Sequence, residues 1–588
     1  MPASPGPPEP PTVAAALLEL LKLEGVERLF GIPGGALIAM LSALKADGEL
    51  TYHLCRQESG AAYMADGYAR VNGGLAVVLV TSGPGATNAL TGAVNADASH
   101  VPMLVLTGEV KEQLFGRGYL QEGAGGTLDV VDVFRSAVGY SELIASPANV
   151  QELFASAMRR AWDAPRRATH LSLPGDVAAS PAAGFVLPPS PAAYRATSAP
   201  VDAEGVIAAV TALAAAERPA LLLGSRCLGP LRDPALLADL VAAVEHLALP
   251  VMTTPQAKGV FPESHALSLR NYGLAACRWP ERYLAEPAPY DALVVIGSTL
   301  GGLATGNWAP ALVPDGPFIQ IDEDPDVLGR AFPITRGVVG ETGAVLRRFV
   351  TAALAATVDP RVAARRLQQI TAIKNDTSPF ADPDERVSDA CPVTPQALAR
   401  IVSETVEPGS HIVVDAGNCV GWALHEMVID PPTRVHSSLT MGPMGFATAA
   451  VVGVKLAAPE QTCVAFVGDG GFLMQVAEVA TAAQYGVGAI WVVLADHDLT
   501  MVSQGMEAVT GDAGYDDYYR IGWNDLGTVA QGLGAAAYHA QTPHEAQDAL
   551  DRAIAGARTG VPQVVVVEID PAQAPPYDYP APPAPGSP

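Results

Sequence analysis

The stretch that decides the fold reads Val464–Phe472 (VAFVGDGGF) and continues, after a helix-length segment, into Ile490–Asp496 (IWVVLAD). Each apolar run has the length of a buried strand, and Leu473–Tyr485 between them predicts a helix whose N-terminal N–H groups face the glycine turn. Asp469 and Asp496 then follow neighbouring parallel strands, at the edge where an open α/β sheet binds ligands. Two hard oxygen ligands beside free backbone N–H groups suit a magnesium ion that carries a diphosphate.

The same alternation of short apolar runs and helical segments recurs along the 588-residue chain. The predicted strands include Ala76–Val80, Met103–Leu106, Ala220–Leu223, Leu293–Ile296, Phe318–Ile321, His411–Val414 and Val564–Ile569. Strands that alternate with helices imply parallel, doubly wound sheets. Pro- and Ala-rich or polar segments, Leu187–Val201 and Asn375–Pro392, separate three pieces. We therefore predict an α/β protein with three doubly wound parallel-sheet domains at 12–186, 202–356 and 392–573, followed by a disordered Pro-rich tail at 574–588.

Composition narrows the class of partner. The formal net charge of −26 argues against nucleic acid, membrane surfaces and polyanions. The six cysteines are scattered without metal-binding spacing and are predicted to be reduced thiols. The first residues carry neither the basic start nor the apolar stretch of a secretory signal, and no apolar run is long enough to span a bilayer. We expect a soluble, cytoplasmic protein that acts on small molecules.

A second informative segment, Arg56–Arg70 (RQESGAAYMADGYAR), follows a short predicted strand, Thr51–Cys55. Taken alone, Glu58 is interpreted as a negative charge near the N-terminus of a helix that begins at Ser59. Such a charge stabilises a helix by about 0.3 to 1 kcal/mol. Together with the Gly-Asp-Gly turn, however, the segment resembles the thiamine diphosphate enzymes, which carry Arg-His-Glu-x-Gly-Ala-Ala here. The resemblance implies that Glu58 is the catalytic glutamate, bound to N1′ of the aminopyrimidine so that its 4′-nitrogen removes the thiazolium C2 proton. Gln57 replaces the family's His and is expected to alter how Glu58 is oriented.

Further loops resemble one branch of that family, the acetohydroxyacid (acetolactate) synthases. The resemblance implies that Gly35, in the loop GIPGGA, approaches the reacting carbon. It implies that Pro84 and Asn88, in VTSGPGATN, contact the pyrimidine. It also implies that Gln121, in YLQE, lies in the substrate cavity. These loops occur in the order in which the family carries them.

The third predicted domain is implied to bind the diphosphate and its Mg²⁺. The implied cofactor contacts are Gly417, Asn418, Gly442, Met444, Gly470 and Gly471. The implied metal ligands are Asp469, Asp496 and Asp498, the last through its backbone oxygen. Met444 stands where the family has a bulky apolar side chain that supports the V-shaped cofactor. Asp496 stands where the second residue of an Asn pair is expected, so the site keeps an oxygen ligand and gains a negative charge.

Two departures from the branch concern the acceptor and flavin. Gly505 stands where the synthases have a Trp that helps to select the acceptor, which suggests a wider or different acceptor pocket. Turns at Gly224, Gly297 and Asp322 resemble the turns that hold FAD in the branch, but the Arg expected in LGGLATGN is missing. FAD therefore remains an open alternative, because such turns occur in any doubly wound domain.

The resemblance implies a thiamine diphosphate and Mg²⁺ dependent carboligase. It would transfer an acyl group from a 2-oxoacid, with pyruvate as the expected donor, to a second carbonyl compound, in the manner of an acetolactate synthase, and would work as a homodimer or homotetramer. A 2-oxoacid decarboxylase, a flavin-dependent pyruvate oxidase and a non-catalytic scaffold are the alternatives. The chain has no adjacent His pair of the kind that many such decarboxylases use, and its Glu58 and Asp469 argue against a scaffold. The acceptor is not identified.

Overall fold

The computed structural model describes residues 10–126, 128–198, 200–285, 290–511 and 518–577. These residues form three six-stranded, all-parallel sheets with flanking helices, which confirms the predicted α/β, doubly wound class. The chain divides into two compact units. The first unit comprises residues 1–198, 440–459 and 475–487, and the second comprises 199–439, 460–474 and 488–588. No helix within the described ranges is long and apolar enough to cross a membrane.

The first unit is built on the first sheet, whose strand order is β2-β1-β3-β4-β6-β5. Its strands are β1 Arg28–Gly31, β2 Thr51–Leu54, β3 Ala76–Val80, β4 Met103–Glu109, β5 Tyr140–Leu143 and β6 Ala168–Pro174. The helices before and between them are α1 Val13–Leu23, α2 Ile38–Asp47, α3 Glu58–Asn72, α4 Pro84–Ala98, α5 Val130–Arg135, α6 Val150–Trp162 and α7 Gly175–Ala179. β3 and β4 are fully buried, as their continuous apolar runs predict for strands covered on both faces.

The second unit contains the other two sheets. The central sheet has the order β12-β11-β10-β7-β8-β9, a doubly wound order with its switch point between β7 and β10. Its strands are β7 Pro219–Leu223, β8 Val251–Thr253, β9 Ser268–Asn271, β10 Ala292–Ile296, β11 Phe318–Asp322 and β12 Arg336–Val339. The helices of this part are α8 Ala203–Ala215, α9 Pro234–Leu247, α10 Arg278–Ala285, α11 Thr342–Ala355 and α12 Pro360–Asp376.

The third sheet, with the order β14-β13-β15-β16-β18-β17, repeats the connectivity of the first. Its strands are β13 His411–Val414, β14 Arg434–Ser437, β15 Cys463–Gly468, β16 Ile490–Ala495, β17 Ala536–Ala540 and β18 Gln563–Glu568. The helices along this stretch of chain are α13 Pro395–Thr405, α14 Asn418–Glu426, α15 Phe446–Ala457, α16 Asp469–Gln475, α17 Glu478–Gln484, α18 Thr500–Thr510, α19 Leu526–Gly532 and α20 Pro543–Ala557. Of these, α15 and α17 group with the first unit.

The close crossing of α3 and α15 organises the first unit. A Cβ atom added to Gly67 of α3 would lie 2.4 Å from the Ala450 carbonyl oxygen, and one added to Gly453 of α15 would lie 1.9 Å from the Met64 carbonyl oxygen. Both glycines therefore let the two backbones touch. This contact holds α3, the helix that begins at Glu58, against its neighbour.

The helix predicted at Leu473–Tyr485 has different bounds in the structure. Helix begins four residues earlier, at Asp469, and is interrupted at residues 476 and 477 before α17 starts at Glu478. The early start arises because the Asp469 carboxylate accepts a hydrogen bond from the Gly470 N–H at 2.7 Å, so the glycine turn is already the first helical turn. All six cysteines are free and five of them are buried, Cys391 being exposed.

Candidate active site

Glu58 and Asn88, both predicted to meet the pyrimidine, lie together in the first unit. Glu58 is the first residue of α3 and is only 9% exposed. The Asn88 side-chain amide, from α4, donates a hydrogen bond to Glu58 Oε2 at 3.0 Å. A buried carboxylate is thus held by one amide at the carboxyl edge of a parallel sheet, which is where such a fold places its ligands.

Gln57, which replaces the family's His, acts as the cap of α3. Its backbone is extended, and its side-chain oxygen accepts hydrogen bonds from the N–H groups of Ser59 at 2.7 Å and Gly60 at 3.2 Å. Capping oxygens at this position satisfy N–H groups that the first helical turn leaves without partners. The cap makes the helix begin at Glu58, one residue before the predicted start, and so sets the direction of its side chain.

Glu478 is a site residue that the sequence analysis missed. Its side chain is fully buried at the start of α17, and its Oε1 accepts hydrogen bonds from the N–H groups of Arg56 at 3.1 Å and Gln57 at 3.0 Å. Burial raises the pKa of the Glu478 carboxyl above its ordinary value. A Cβ atom on Gly60 would lie 2.3 Å from Glu478 Oε1, so glycine is required there. An acid in an alanine-rich helix gives no sequence signal for a contact with a segment so distant in the chain.

The predicted pyrimidine loop forms a glycine-lined space beside Glu58. Gly83 has φ +60° and precedes Pro84, the first residue of α4. A Cβ atom added to Gly85 would lie 3.6 Å from Glu58 Oε1, so glycine leaves room next to the carboxylate. A Cβ atom on Gly83 would lie 3.1 Å from the Cα atom of Gln121, which places the YLQE segment against this loop. The residues present fit a flat heterocycle that binds a buried carboxylate.

Gly35 and Gln121 line one cavity of about 1060 Å³ in the first unit. Gly35 has no atom within 4 Å of an added Cβ position, so its backbone faces open space. Gln121 adopts φ +61°, a left-handed conformation that is uncommon for a residue other than glycine. The structure therefore places both residues predicted to face the substrate on the same cavity wall.

Asp469 and Asp496 follow adjacent parallel strands of the third sheet, as predicted. Gly468 of β15 pairs with Leu494 of β16, so the two strands end side by side. Asp469 Oδ2 accepts a hydrogen bond from the His497 N–H at 2.7 Å. Burial, and then the charge of Asp469, raises the pKa of the Asp496 carboxyl to about 7. Two carboxylates that repel each other in a buried position fit a divalent cation, which would offset that repulsion.

Asp498 takes a different position from the two strand-end carboxylates. Its N–H donates to Asp496 Oδ1 at 3.3 Å, and its buried Oδ1 has no hydrogen-bond partner among the described residues. Within the part of the chain that the structure describes, no group of three or more His, Cys, Asp and Glu side chains is arranged to hold a metal. That Asp498 lends its backbone oxygen to the metal stays a prediction.

The predicted diphosphate turn lies at the start of α14 in the second unit. Gly417 has φ +110°, and the Asn418 side-chain amide donates to Gln504 Oε1 at 2.9 Å. Gly470 and Gly471 stand in the first turn of α16, where a Cβ atom on Gly471 would lie 3.3 Å from the Asp415 carboxylate. Gly417 and Gly471 thus lie in turns at the N-termini of two helices, the kind of position at which backbone N–H groups bind phosphate oxygens.

The tail predicted to be disordered from residue 574 is described only as far as Tyr577. Pro575 is buried, and the Tyr577 hydroxyl donates to the Gly417 carbonyl oxygen at 3.4 Å. Pro575 and Tyr577 are therefore packed while Ala574 is exposed, and residues 578–588 lie outside the described residues.

Gly442 and Met444 precede α15 and group with the first unit. Gly442 has φ +64°, and the Met444 side chain is half-buried. Gly505 lies within α18, where an added Cβ atom would meet nothing within 4 Å, so space for a larger residue exists at this position.

The turns predicted to hold FAD lie at the switch point of the central sheet. A Cβ atom on Gly224 would lie 2.1 Å from the Gly297 carbonyl oxygen, so the two turns are in contact. Arg226 forms ion pairs with Asp322 and Glu323, both at 3.1 Å. The carboxylate in the third of these turns, Asp322, is therefore already paired, and FAD remains an open alternative.

Three family models match the chain in sequence order. The N-terminal TPP binding domain of the thiamine pyrophosphate enzymes matches residues 11–129. Their central domain matches residues 206–349, and their C-terminal TPP binding domain matches residues 415–569.

Whole-chain relatives were found as well. A Mycobacterium tuberculosis protein, IlvB2, whose name groups it with acetolactate synthase large subunits, is 32% identical over 565 residues, covering 95% of this chain and 98% of the relative. The acetolactate synthase isozyme 3 large subunit of Escherichia coli is 29% identical over 560 residues, covering 93% of each. The acetolactate synthase large subunit of Corynebacterium glutamicum is 28% identical over 556 residues, covering 93% of this chain and 85% of the relative.

Proposed function

Because the chain belongs to the thiamine pyrophosphate enzymes, as an acetolactate synthase-like member, we propose that it is a Mg²⁺-dependent carboligase. It removes CO₂ from a 2-oxoacid, with pyruvate as the donor, and joins the remaining acyl group to a second carbonyl compound. We further propose one domain per sheet, at residues 12–186, 202–356 and 392–573, and an assembly of at least two copies.

The observation that carries the proposal is the buried Glu58 carboxylate held by the Asn88 amide at 3.0 Å, beside the space that Gly85 leaves open. When bound, thiamine diphosphate supplies the nucleophilic carbon and the electron sink that decarboxylation requires. Glu58 would hold N1′ of the aminopyrimidine, and its buried carboxylate would share a proton with that nitrogen away from bulk water.

The second unit supplies the residues for the diphosphate and the metal. Asp469 and Asp496 provide carboxylate oxygens, and Asp498 provides a backbone oxygen, which suits the hard-oxygen preference of Mg²⁺. Gly417 and Gly471 are the turn residues that would lie beside the phosphate oxygens. Asn418 adds a side-chain amide that already has one partner in Gln504.

The experiment is product analysis. Purified protein is incubated with thiamine diphosphate, Mg²⁺, pyruvate and a panel of aldehydes and ketones, and CO₂ release and products are measured by mass spectrometry. We expect 2-hydroxyketone or 2-hydroxyacid products that contain the acyl group of the donor. Free aldehyde as the sole product would identify a 2-oxoacid decarboxylase, and oxygen uptake with visible flavin absorbance would identify an oxidase. No CO₂ release with any 2-oxoacid would overturn the proposal.

A further inference from the structure

The cavity that contains Gly35 and Gln121 extends well beyond the residues predicted to face the reacting carbon. It lies entirely within the first unit, with a volume of about 1060 Å³, and its walls include parts of α1, α2 and α7. This volume is at the upper end of the range in which protein pockets hold drug-sized ligands, about 300 to 1,000 Å³. Pyruvate has only six heavy atoms, so most of the cavity is available for another molecule.

Apolar side chains line much of the cavity, beside polar residues of α1 and α2 such as Glu19, Ser42 and Asp47. Small side chains from α2, Ala39 and Ala43, alternate with larger ones from α1 and α2, Leu18 and Ile38. Two of the lining residues, Ile38 and Leu120, are 66% and 78% exposed. Large apolar side chains that stay accessible at a cavity are favourable positions for an apolar ligand, since its burial removes them from water.

The charged groups on the wall do not suit a ligand whose chain ends in a carboxylate. Glu109 is buried on this wall; its Oε1 accepts hydrogen bonds from the Val110 and Gly123 N–H groups at 2.7 and 3.1 Å, and its Oε2 has no hydrogen-bond partner among the described residues. Glu19 and Asp47 also line the cavity but are ion-paired with a lysine outside it. The lining cation, Lys111, is exposed. A carboxylate buried here would meet an acid and no buried cation, which is costly.

We propose that this cavity holds the apolar chain of the second substrate, and that the preferred acceptor is therefore a carbonyl compound with an uncharged alkyl chain, not one whose chain ends in a carboxylate. This inference rests on the proposed function. The acceptor's carbonyl group lies at the end lined by Gly35 and Gln121, and its chain runs along α2.

The reaction balances without an oxidant or reductant. The C1–C2 bond of pyruvate breaks and CO₂ leaves. A bond forms between the former C2 of pyruvate and the carbonyl carbon of the acceptor, whose oxygen takes up one proton. Pyruvate, one proton and an aldehyde thus become CO₂ and a 2-hydroxyketone.

The first test needs no variant. Wild-type enzyme is supplied with pyruvate and either hexanal or 6-oxohexanoate, which has the same chain with a terminal carboxylate, and kcat/KM is measured for each. We expect hexanal to be preferred by about tenfold or more, since an unpaired buried charge is rejected more strongly than a missing methylene. Equal use of the two, or ligation to pyruvate alone while CO₂ is released, would overturn the cavity assignment and leave the proposed function intact.

The second test fills the cavity. Ala43→Phe, with Ala39→Leu as a milder variant, should lower the ratio of kcat/KM for hexanal to that for acetaldehyde by about tenfold. Ala98→Phe is the matched control, because Ala98 is a half-buried alanine at the end of α4 that does not line the cavity, and its ratio should equal that of wild type. CO₂ release from pyruvate identifies variants that fold and load cofactor. An unchanged ratio in both cavity variants contradicts the inference, whereas wild-type enzyme without CO₂ release overturns the proposed function itself.

Discussion

Glu478 accepts a hydrogen bond from the backbone N–H of Gln57 at 3.0 Å, immediately before the catalytic candidate Glu58. It accepts a second from the Arg56 N–H at 3.1 Å, so one buried carboxylate holds the two residues that lead into α3. Gln57 in turn caps the helix. The position of Glu58 therefore depends on Glu478 through the backbone that leads into α3.

We expect Glu478→Gln to lower the turnover of CO₂ release by about 10- to 100-fold, because small displacements of a catalytic group cost up to about 10²-fold. The amide has one oxygen where the carboxylate has two, and its NH₂ group faces N–H donors. Glu204→Gln, an exposed change in α8, should leave turnover unchanged. If Glu478→Gln folds and retains wild-type turnover, the backbone before Glu58 keeps its position without this carboxylate.

Glu58→Gln should retain the fold and bind thiamine diphosphate, yet reduce turnover by at least about 10²-fold, the effect typical of acid/base groups. The amide still accepts the hydrogen bond from Asn88 but does not exchange a proton with N1′. Cofactor affinity is measured by calorimetry and turnover by CO₂ release. Activity within about tenfold of wild type would remove Glu58 from the mechanism.

Substitutions at the two strand-end aspartates, Asp469 and Asp496, should have different effects on cofactor binding. Asp469→Ala is expected to abolish the rise in melting temperature on addition of thiamine diphosphate with Mg²⁺, because ligand binding to the folded state is what produces that rise. Burial, and then the charge of Asp469, raises the pKa of Asp496; Asp496→Asn keeps an oxygen ligand and removes that charge repulsion, so its thermal shift should be retained. The opposite pattern would place the metal elsewhere.

Acid should destabilise the first unit through His170. This residue is fully buried between the hydroxyl groups of Thr107 and Ser141, and burial lowers its pKa from 6.5 to about 3. The unfolded chain therefore binds this proton first, and stability is lost as the pH falls below 6.5, at about 1.4 kcal/mol per pH unit for one such group.

Denaturant unfolding at pH 6.5 and pH 5 measures this loss, and His170→Gln should lose about 2 kcal/mol less than wild type across that interval. Burial also lowers the pKa values of His411 and His425 to about 4. These two residues therefore reduce the stability of the wild type and of the His170→Gln variant alike as the pH falls. Burial raises the pKa of Glu426 to about 7, so its protonation adds stability to both proteins as the pH falls. Identical losses in the two proteins would exclude His170 as a source of the pH dependence.

Much of the fold was predictable from local patterns. The strands Ala76–Val80 and His411–Val414 match the structure at both ends, because a buried parallel strand is a continuous apolar run between turns. The Gly-Asp-Gly turn likewise indicated where β15 ends. The contact between Glu478 and Gln57 was not predictable, since it joins residues 421 positions apart and depends on tertiary packing. The helix break before Glu478 escaped prediction for the same reason.

The paired glycines of α3 and α15 have a practical consequence for engineering heat resistance. Replacing helical glycine by alanine usually stabilises a protein by restricting the unfolded chain, by about 0.4 to 1 kcal/mol where the site has room. At Gly67 and Gly453 a methyl group would overlap a carbonyl oxygen of the neighbouring helix, so the same exchange would push apart the helix that bears Glu58. Gly532 has no atom within 4 Å of an added methyl, which makes the end of α19 a better place to begin.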